Sequence, residues 1–190
     1  SEWKTIVIGT FAPLASFAMF HMVTVYPLSW VFLFTDESPV RFLVIEAIAA
    51  VVGVIAIVAS GILADRVGRR TLLAVTAAGI AAFSGFAPQL LDAGQFGEAT
   101  FMILGFALLG LSFGQSSGAL SSNFHPRHRY TGSAFTSDLA WLFGAGFAPM
   151  VALWLSGQFG LIAAGAYLLS GALGTLVALW LNRELASTID

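Results

Sequence analysis

The chain has 190 residues, of which 58% are hydrophobic and only 9% charged, with a formal net charge of −2 and a mean hydropathy of +0.89. A water-soluble domain carries roughly 25% charged residues, so this composition excludes a globule covered by water and makes lipid the solvent for most of the surface. With no cysteine, disulfides and thiolate metal sites are excluded as well.

A membrane-spanning helix needs about 20 mostly apolar residues. Six such runs are predicted, at about 5–34, 41–64, 71–91, 98–121, 132–155 and 158–181. The N-terminal stretch SEWKTIVIGTF has no basic region ahead of a short apolar core, so no signal peptide is expected. The first run is long, and Pro13 and Pro27 are expected to bend it or let it project beyond the bilayer. TDESP separates the first two runs, ending in Pro39. The second and third are divided by the charged turn DRVGRR, and the third and fourth by LDAGQFGE. NFHPRHRYTG precedes the fifth run, and SGQFG makes a tight turn before the sixth.

Lys4, Arg66, Arg69, Arg70, Arg127, Arg129 and Arg183 fall on one side of these spans, and Arg41 alone on the other. Basic residues in short loops mark the cytoplasmic side, which predicts cytoplasmic termini. Ionisable groups within spans are costly and are functional candidates by default; here they are His21, Glu46 and Asp138. Gly53 stands seven residues after Glu46, nearly on its helical face, so Glu46 is expected to point into protein. Each of the three is either a proton-coupling or substrate group, or a satisfied contact between helices. Gly110, Gly114 and Gly118 recur every four residues in the fourth run, a spacing that lets helices approach closely.

Gly114-Gln115-Ser116-Ser117-Gly118 satisfies the serine-hydrolase pattern G-x-S-x-G. That pattern works on a strand–turn–helix, and an intramembrane serine protease needs a histidine in its sixth span; none occurs after His128. An enzyme is therefore not expected. His125 and His128 lie beside two arginines with no carboxylate near, so no metal site is expected. No phosphate-binding loop is present, and no other cofactor is implied. The basic loops are topology signals and not nucleic-acid sites.

Residues 61–73, GILADRVGRRTLL, match the G-x-L-A-D-R-x-G-R-R-x-x-L signature of the major facilitator superfamily at every fixed position. Gly61 and Gly68 are expected to allow close backbone approach and a tight turn, and Asp65 to cap a neighbouring helix N-terminus. FHPRHRYTGSA and GAGFAP, in turn, resemble the loop and fifth helix of the metabolite:proton symporter branch, which carries proline/betaine, shikimate, α-ketoglutarate and citrate. Arg127, Arg129, Tyr130, Thr131 and Gly132 fit that pattern, as do Gly144, Gly146, Ala148 and Pro149. Ser122 replaces the branch's acidic residue and Pro126 is displaced.

The resemblance implies an all-α, polytopic membrane protein of six transmembrane helices in two inverted three-helix repeats, forming the C-terminal half of a transporter. It implies an N-terminal six-helix half as partner, a bacterial inner-membrane location, and proton symport of a small organic acid or zwitterion. The first and fourth helices would line the cavity, with His21, Thr24, Tyr26, Trp30, Gln115, Ser116 and Ser117 as candidate substrate-facing groups. Glu46, Asp138 and His21 are the candidate proton-coupling groups. Gly61, Asp65, Arg66, Gly68, Arg69 and Arg70, with Arg127, Arg129 and Gly132, would form the gating loops. Two alternatives stay open: a six-span scaffold that transports nothing, and a half-size carrier that pairs with a second copy.

Overall fold

The computed structural model describes residues 2–122 and 129–181. Six helical segments among the described residues are long and apolar enough to cross a membrane: Gly9–Phe34, Pro39–Val67, Arg69–Asp92, Gly94–Ser116, Arg129–Phe159 and Leu161–Leu181. Each covers most of one predicted run.

The first span is a chain of three helices, α1 (Glu2–Phe11), α2 (Leu14–Thr24) and α3 (Tyr26–Phe34). Proline explains both breaks. It lacks an N–H and clashes with the carbonyl four residues back, so it is tolerated only in a helix's first turn. Pro13 accordingly caps the start of α2, and Pro27 lies in the first turn of α3.

The second span, α4 (Pro39–Val67), runs straight through Asp65 and Arg66, and α5 (Arg69–Phe86) starts two residues later. The charged turn predicted over residues 65–70 therefore contracts to a single residue. Gly68, at φ 84 and ψ 142, ends one helix and begins the next. That region of backbone space is nearly closed to residues with a Cβ. Pro88 then converts the end of the third span into a 3₁₀ turn, Ala87–Asp92.

The fourth span belongs to α6 (Gly94–Ser122). The fifth is α7 (Arg129–Trp141), a π turn at Leu142–Gly146, and α8 (Ala148–Phe159). Arg129, Tyr130 and Thr131, expected in a loop, are thus the first turn of α7. Pro149 has no N–H to give the carbonyl four residues earlier, and the π turn just before it absorbs the mismatch. Gly160, at φ 79, makes the last reversal into α9 (Leu161–Leu181).

α4 packs chiefly on α6, and α5 on α9, while α2 touches α6, α8, α9 and the π turn. The common core joins Met19, Met22, Tyr26, Phe42, Ile80, Phe101, Met102 and Leu168, contributed by all spans but the fifth, with Ala152 completing it from there. Burial is uneven. Only 22% of the second span's most apolar window and 33% of the fifth's is buried, against 44–50% in the other four. The second and fifth spans hold the same position in their respective three-helix units, so the two units share a pattern of exposure.

Candidate functional site

The signature loop builds a network that ties three spans together at one end. Arg69 Nε donates to Gln115 Oε1 at 3.2 Å, Gln115 Nε2 donates to Ser60 Oγ at 3.1 Å, and Ser60 Oγ donates to the Ile57 carbonyl at 2.7 Å. The glycines of α6 make room for it. A Cβ on Gly110 would collide with the Gly53 carbonyl oxygen, and one on Gly114 with Ser60 Oγ. A Cβ on Gly118 would stand 2.6 Å from Arg69 Nη1. Small residues let the backbones of α4 and α6 meet without a hydrophobic drive.

Arg70 turns the other way, and its Nη2 donates to the Leu179 carbonyl at 2.7 Å. The first arginine thus holds the fourth span and the second holds the sixth. Asp65 and Arg66 are exposed and have no ion pair among the described residues. Two expectations are corrected here. Asp65 caps none of the described helices, because it lies within α4 and the next helix starts on Gly68. Gly61 meets no close neighbour among the described residues, where a Cβ would find open space.

The opposite end has its own charged cluster. Arg41 Nη1 contacts Glu37 Oε2 at 2.8 Å, and its Nη2 reaches Glu98 Oε2 at 3.4 Å. Glu98 is 1% exposed, and its Oε1 has no hydrogen-bond partner among the described residues. Beside this, Trp30 Nε1 donates to Asp92 Oδ1 at 3.1 Å. Sequence reasoning missed Glu98 by starting the fourth run at that residue. α6 begins at Gly94, which carries the carboxylate a full turn inside.

Between these ends, the first, fourth and fifth spans bring five rings together. Phe17 stacks on Trp141 with centroids 4.5 Å apart, and Phe20 meets Trp141 edge-on at 5.4 Å. Phe113 completes the group at 5.9 Å from Phe20. His21 lies edge-on to Phe20 at 5.3 Å and to Trp141 at 6.1 Å. Gly144 allows this approach, because a Cβ there would be 2.9 Å from Leu14 Cδ1 and 3.1 Å from Phe17 Cβ. Phe20, His21, Phe113 and Trp141 are all partly exposed, yet His21 Nδ1 is buried with no hydrogen-bond partner among the described residues.

The remaining candidates scatter around this cluster. Tyr26 is fully buried, and its hydroxyl shares a 2.8 Å hydrogen bond with Ser156 Oγ. Thr24 donates to the Phe20 carbonyl at 2.7 Å, and Ser116 to the Ser112 carbonyl at 3.2 Å. Ser116 lies within continuous helix, so the G-x-S-x-G stretch has no strand–turn–helix elbow. Trp30 and Gln115 are engaged as described, and Gly132 and Arg129 sit in the first turns of α7. Glu46 is half-buried and Asp138 exposed, and neither has a hydrogen bond or ion pair among the described residues. Arg127 lies outside the described residues, as do His125, Pro126, His128, Arg183 and the side chain of Ser117.

The family model described as "Sugar (and other) transporter" matches residues 32–188. The inner membrane metabolite transport protein YhjE of Escherichia coli is 35% identical over 189 residues, covering 95% of this chain and 42% of its own length. A putative metabolite transport protein of Haemophilus influenzae is 36% identical over 148 residues, covering 77% of this chain and 33% of its own length. A second from that organism is 29% identical over 193 residues, covering 95% of this chain and 44% of its own length. The chain spans less than half the length of these curated relatives.

Proposed function

The chain belongs to the sugar (and other) transporter family of the major facilitator superfamily, and from that premise we propose that it forms the C-terminal half of a secondary carrier for a small polar metabolite. Proton symport would drive it, and access would alternate by rocking against an N-terminal bundle. The similar proteins are named metabolite transport proteins, one of them of the inner membrane, which supports the same role and location here. The observation that carries the reading is His21: a buried Nδ1 inside a spanning segment, unpartnered among the described residues, edge-on to Phe20 and Trp141 on a partly exposed face. An unsatisfied buried polar atom is costly. A substrate hydroxyl, amine or carboxylate that bonds it, with the rings packed on the substrate's carbon skeleton, removes that cost.

Glu46 and Asp138 are the proposed coupling groups. A carboxylate on an exposed face within a span cannot rest in lipid cheaply, so both belong against water or the partner bundle. Tyr26, Trp30 and Gln115 are bonded to side chains on other spans, whereas Thr24 donates only to the Phe20 carbonyl of its own helix and keeps its oxygen as an acceptor, which favours His21 and Thr24 for substrate contact. The exposed Asp65 and Arg66 are suited to bridging the other half in one state and releasing it in the next. Both termini would then be cytoplasmic.

The test is uptake by the full-length protein in proteoliposomes under an imposed proton gradient. His21→Ala and Trp141→Ala should each lower kcat/KM for the substrate by about tenfold or more, the equivalent of about 1.4 kcal/mol. Asp138→Asn should abolish accumulation while leaving exchange of substrate across the membrane. Wild-type uptake by the His21 and Trp141 variants would overturn the site. Gradient-driven accumulation by the Asp138 variant would remove that residue from coupling.

A further inference from the structure

At the signature-loop end, a cavity of about 350 Å³ opens between α5 and α9. Arg70, Thr71 and Ala74 line it from α5, and Leu176, Leu179 and Trp180 from α9. Nothing in the transport scheme uses it. We propose that this cavity is a binding site for one anionic phospholipid, with the headgroup phosphate on Arg70 and an acyl chain along Ala74 and Leu176.

Four features point to that occupant. Arg70 Nη2 is spent on the carbonyl of Leu179, which also lines the cavity, and this fixes the guanidinium at the cavity wall. A guanidinium has five N–H donors, and the rest have no partner among the described residues, where no carboxylate pairs with Arg70. Such a fork matches a phosphate bidentately, and the Thr71 hydroxyl adds a donor at the same rim. Trp180 is 71% exposed one residue before the helix ends, and exposed tryptophans at span ends sit at headgroup level. Finally, the cavity continues into bare apolar surface. Val75 on α5 and Leu173 and Val177 on α9 are 63%, 50% and 54% exposed. A soluble anion has nothing to set against that surface, whereas a lipid tail does. Basic pockets between transmembrane helices are known to take anionic headgroups.

The bond to Leu179 also gives Arg70 a purely structural task, because it satisfies a carbonyl in the last turn of α9. Two variants separate the tasks: Arg70→Gln removes the cation, and Ala74→Phe fills the cavity and leaves Arg70 in place. The full-length protein, checked for monodispersity, is titrated in mild detergent with phosphatidylglycerol and with phosphatidylcholine of the same acyl chains. Native mass spectrometry counts the lipids retained. Wild type should hold one phosphatidylglycerol about fivefold more tightly than Arg70→Gln, as one arginine near an anionic headgroup is worth about 1 kcal/mol. Ala74→Phe should lose the same lipid, and phosphatidylcholine should bind all three proteins alike. Equal retention of phosphatidylglycerol by wild type and Ala74→Phe would overturn the proposal. Displacement of the lipid by millimolar inorganic phosphate would also overturn it, by making the site one for a soluble anion.

Discussion

A single arginine, Arg41, governs the end of the molecule opposite the signature loop. It stands between Glu37, which shares its partial exposure, and Glu98, which is wholly buried. Removing one partner of a buried pair costs more than the pair contributed, because the remaining charge has lost its compensation. Arg41→Ala should therefore destabilise the full-length protein by about 3 kcal/mol, near the low end for such pairs because the arginine is partly solvated. Adding Glu98→Gln should recover most of that loss, since the neutral amide needs no cation. Thermal unfolding in detergent of the two single variants and the double variant checks this. An Arg41→Ala protein as stable as wild type, or a double variant no better than the single, would show that Glu98 does not depend on Arg41. Neither partner was evident from sequence spacing. Arg41 and Glu98 stand on different spans, and only the observed start of α6 brings the carboxylate inside the bundle.

At the scale of elements, the most extensive contact in the bundle is α4 against α6, and it rests on small residues. Glycine in a helix interior usually costs about 1 kcal/mol relative to alanine, so Gly→Ala would stabilise a helix in isolation. At Gly110 the added Cβ would instead strike the Gly53 carbonyl oxygen and come within 2.6 Å of the Ala56 Cβ. Overpacking of that kind costs about 1–3 kcal/mol and outweighs the gain in propensity. Gly110→Ala should therefore lower the unfolding temperature, whereas Gly61→Ala, with open space around it, should leave it unchanged or raise it. If Gly110→Ala melts with wild type, the close approach has no energetic weight. This contrast also marks what the sequence could reveal. The apolar runs, the prolines and the glycine spacing announce spans, breaks and close approach, because each is a local property of the chain. The direction in which a glycine of the signature faces is not local. Gly61 and Gly68 read alike in GILADRVGRR, yet only Gly68 has a backbone angle that requires glycine, and only the fold reveals it. In the same way, His21 stood out as an ionisable residue in an apolar run. Phe17, Phe20, Phe113 and Trp141 did not, because aromatic residues are common throughout the chain and their convergence depends on three separate spans.

At the scale of the whole molecule, the exposed faces separate into two kinds. Along their middles the third and sixth spans expose apolar side chains such as Val75 and Val177 and no charged one, and the exposed Ser170 hydroxyl donates to the Tyr167 carbonyl of its own helix. The second and fifth expose apolar residues as well, but with Glu46 and Asp138 among them and with less of their surface buried. A charged group at the bilayer centre costs roughly 2.5–3.5 kcal/mol on insertion scales, so the proposed reading sets that second face against water or another bundle. The relatives, more than twice as long as the matched region, have sequence enough for such a bundle. Because this chain contains no cysteine, single cysteines placed in a cysteine-free full-length protein can map the difference. Cysteine at Thr24 or Asp138 should react with a membrane-impermeant maleimide in inside-out or right-side-out vesicles, and substrate should slow the reaction by a few-fold at Thr24. Cysteine at Val75 or Val177 should stay unreactive from both sides, because maleimides need water to form the thiolate that attacks them. Equal labelling at Val75 and Asp138 would mean that the bundle has no dry side, and the division into a lipid face and a partner face would fall. Labelling at Asp138 together with a disulfide between Asp138→Cys residues of two copies would instead assign the partner face to a second copy of the chain.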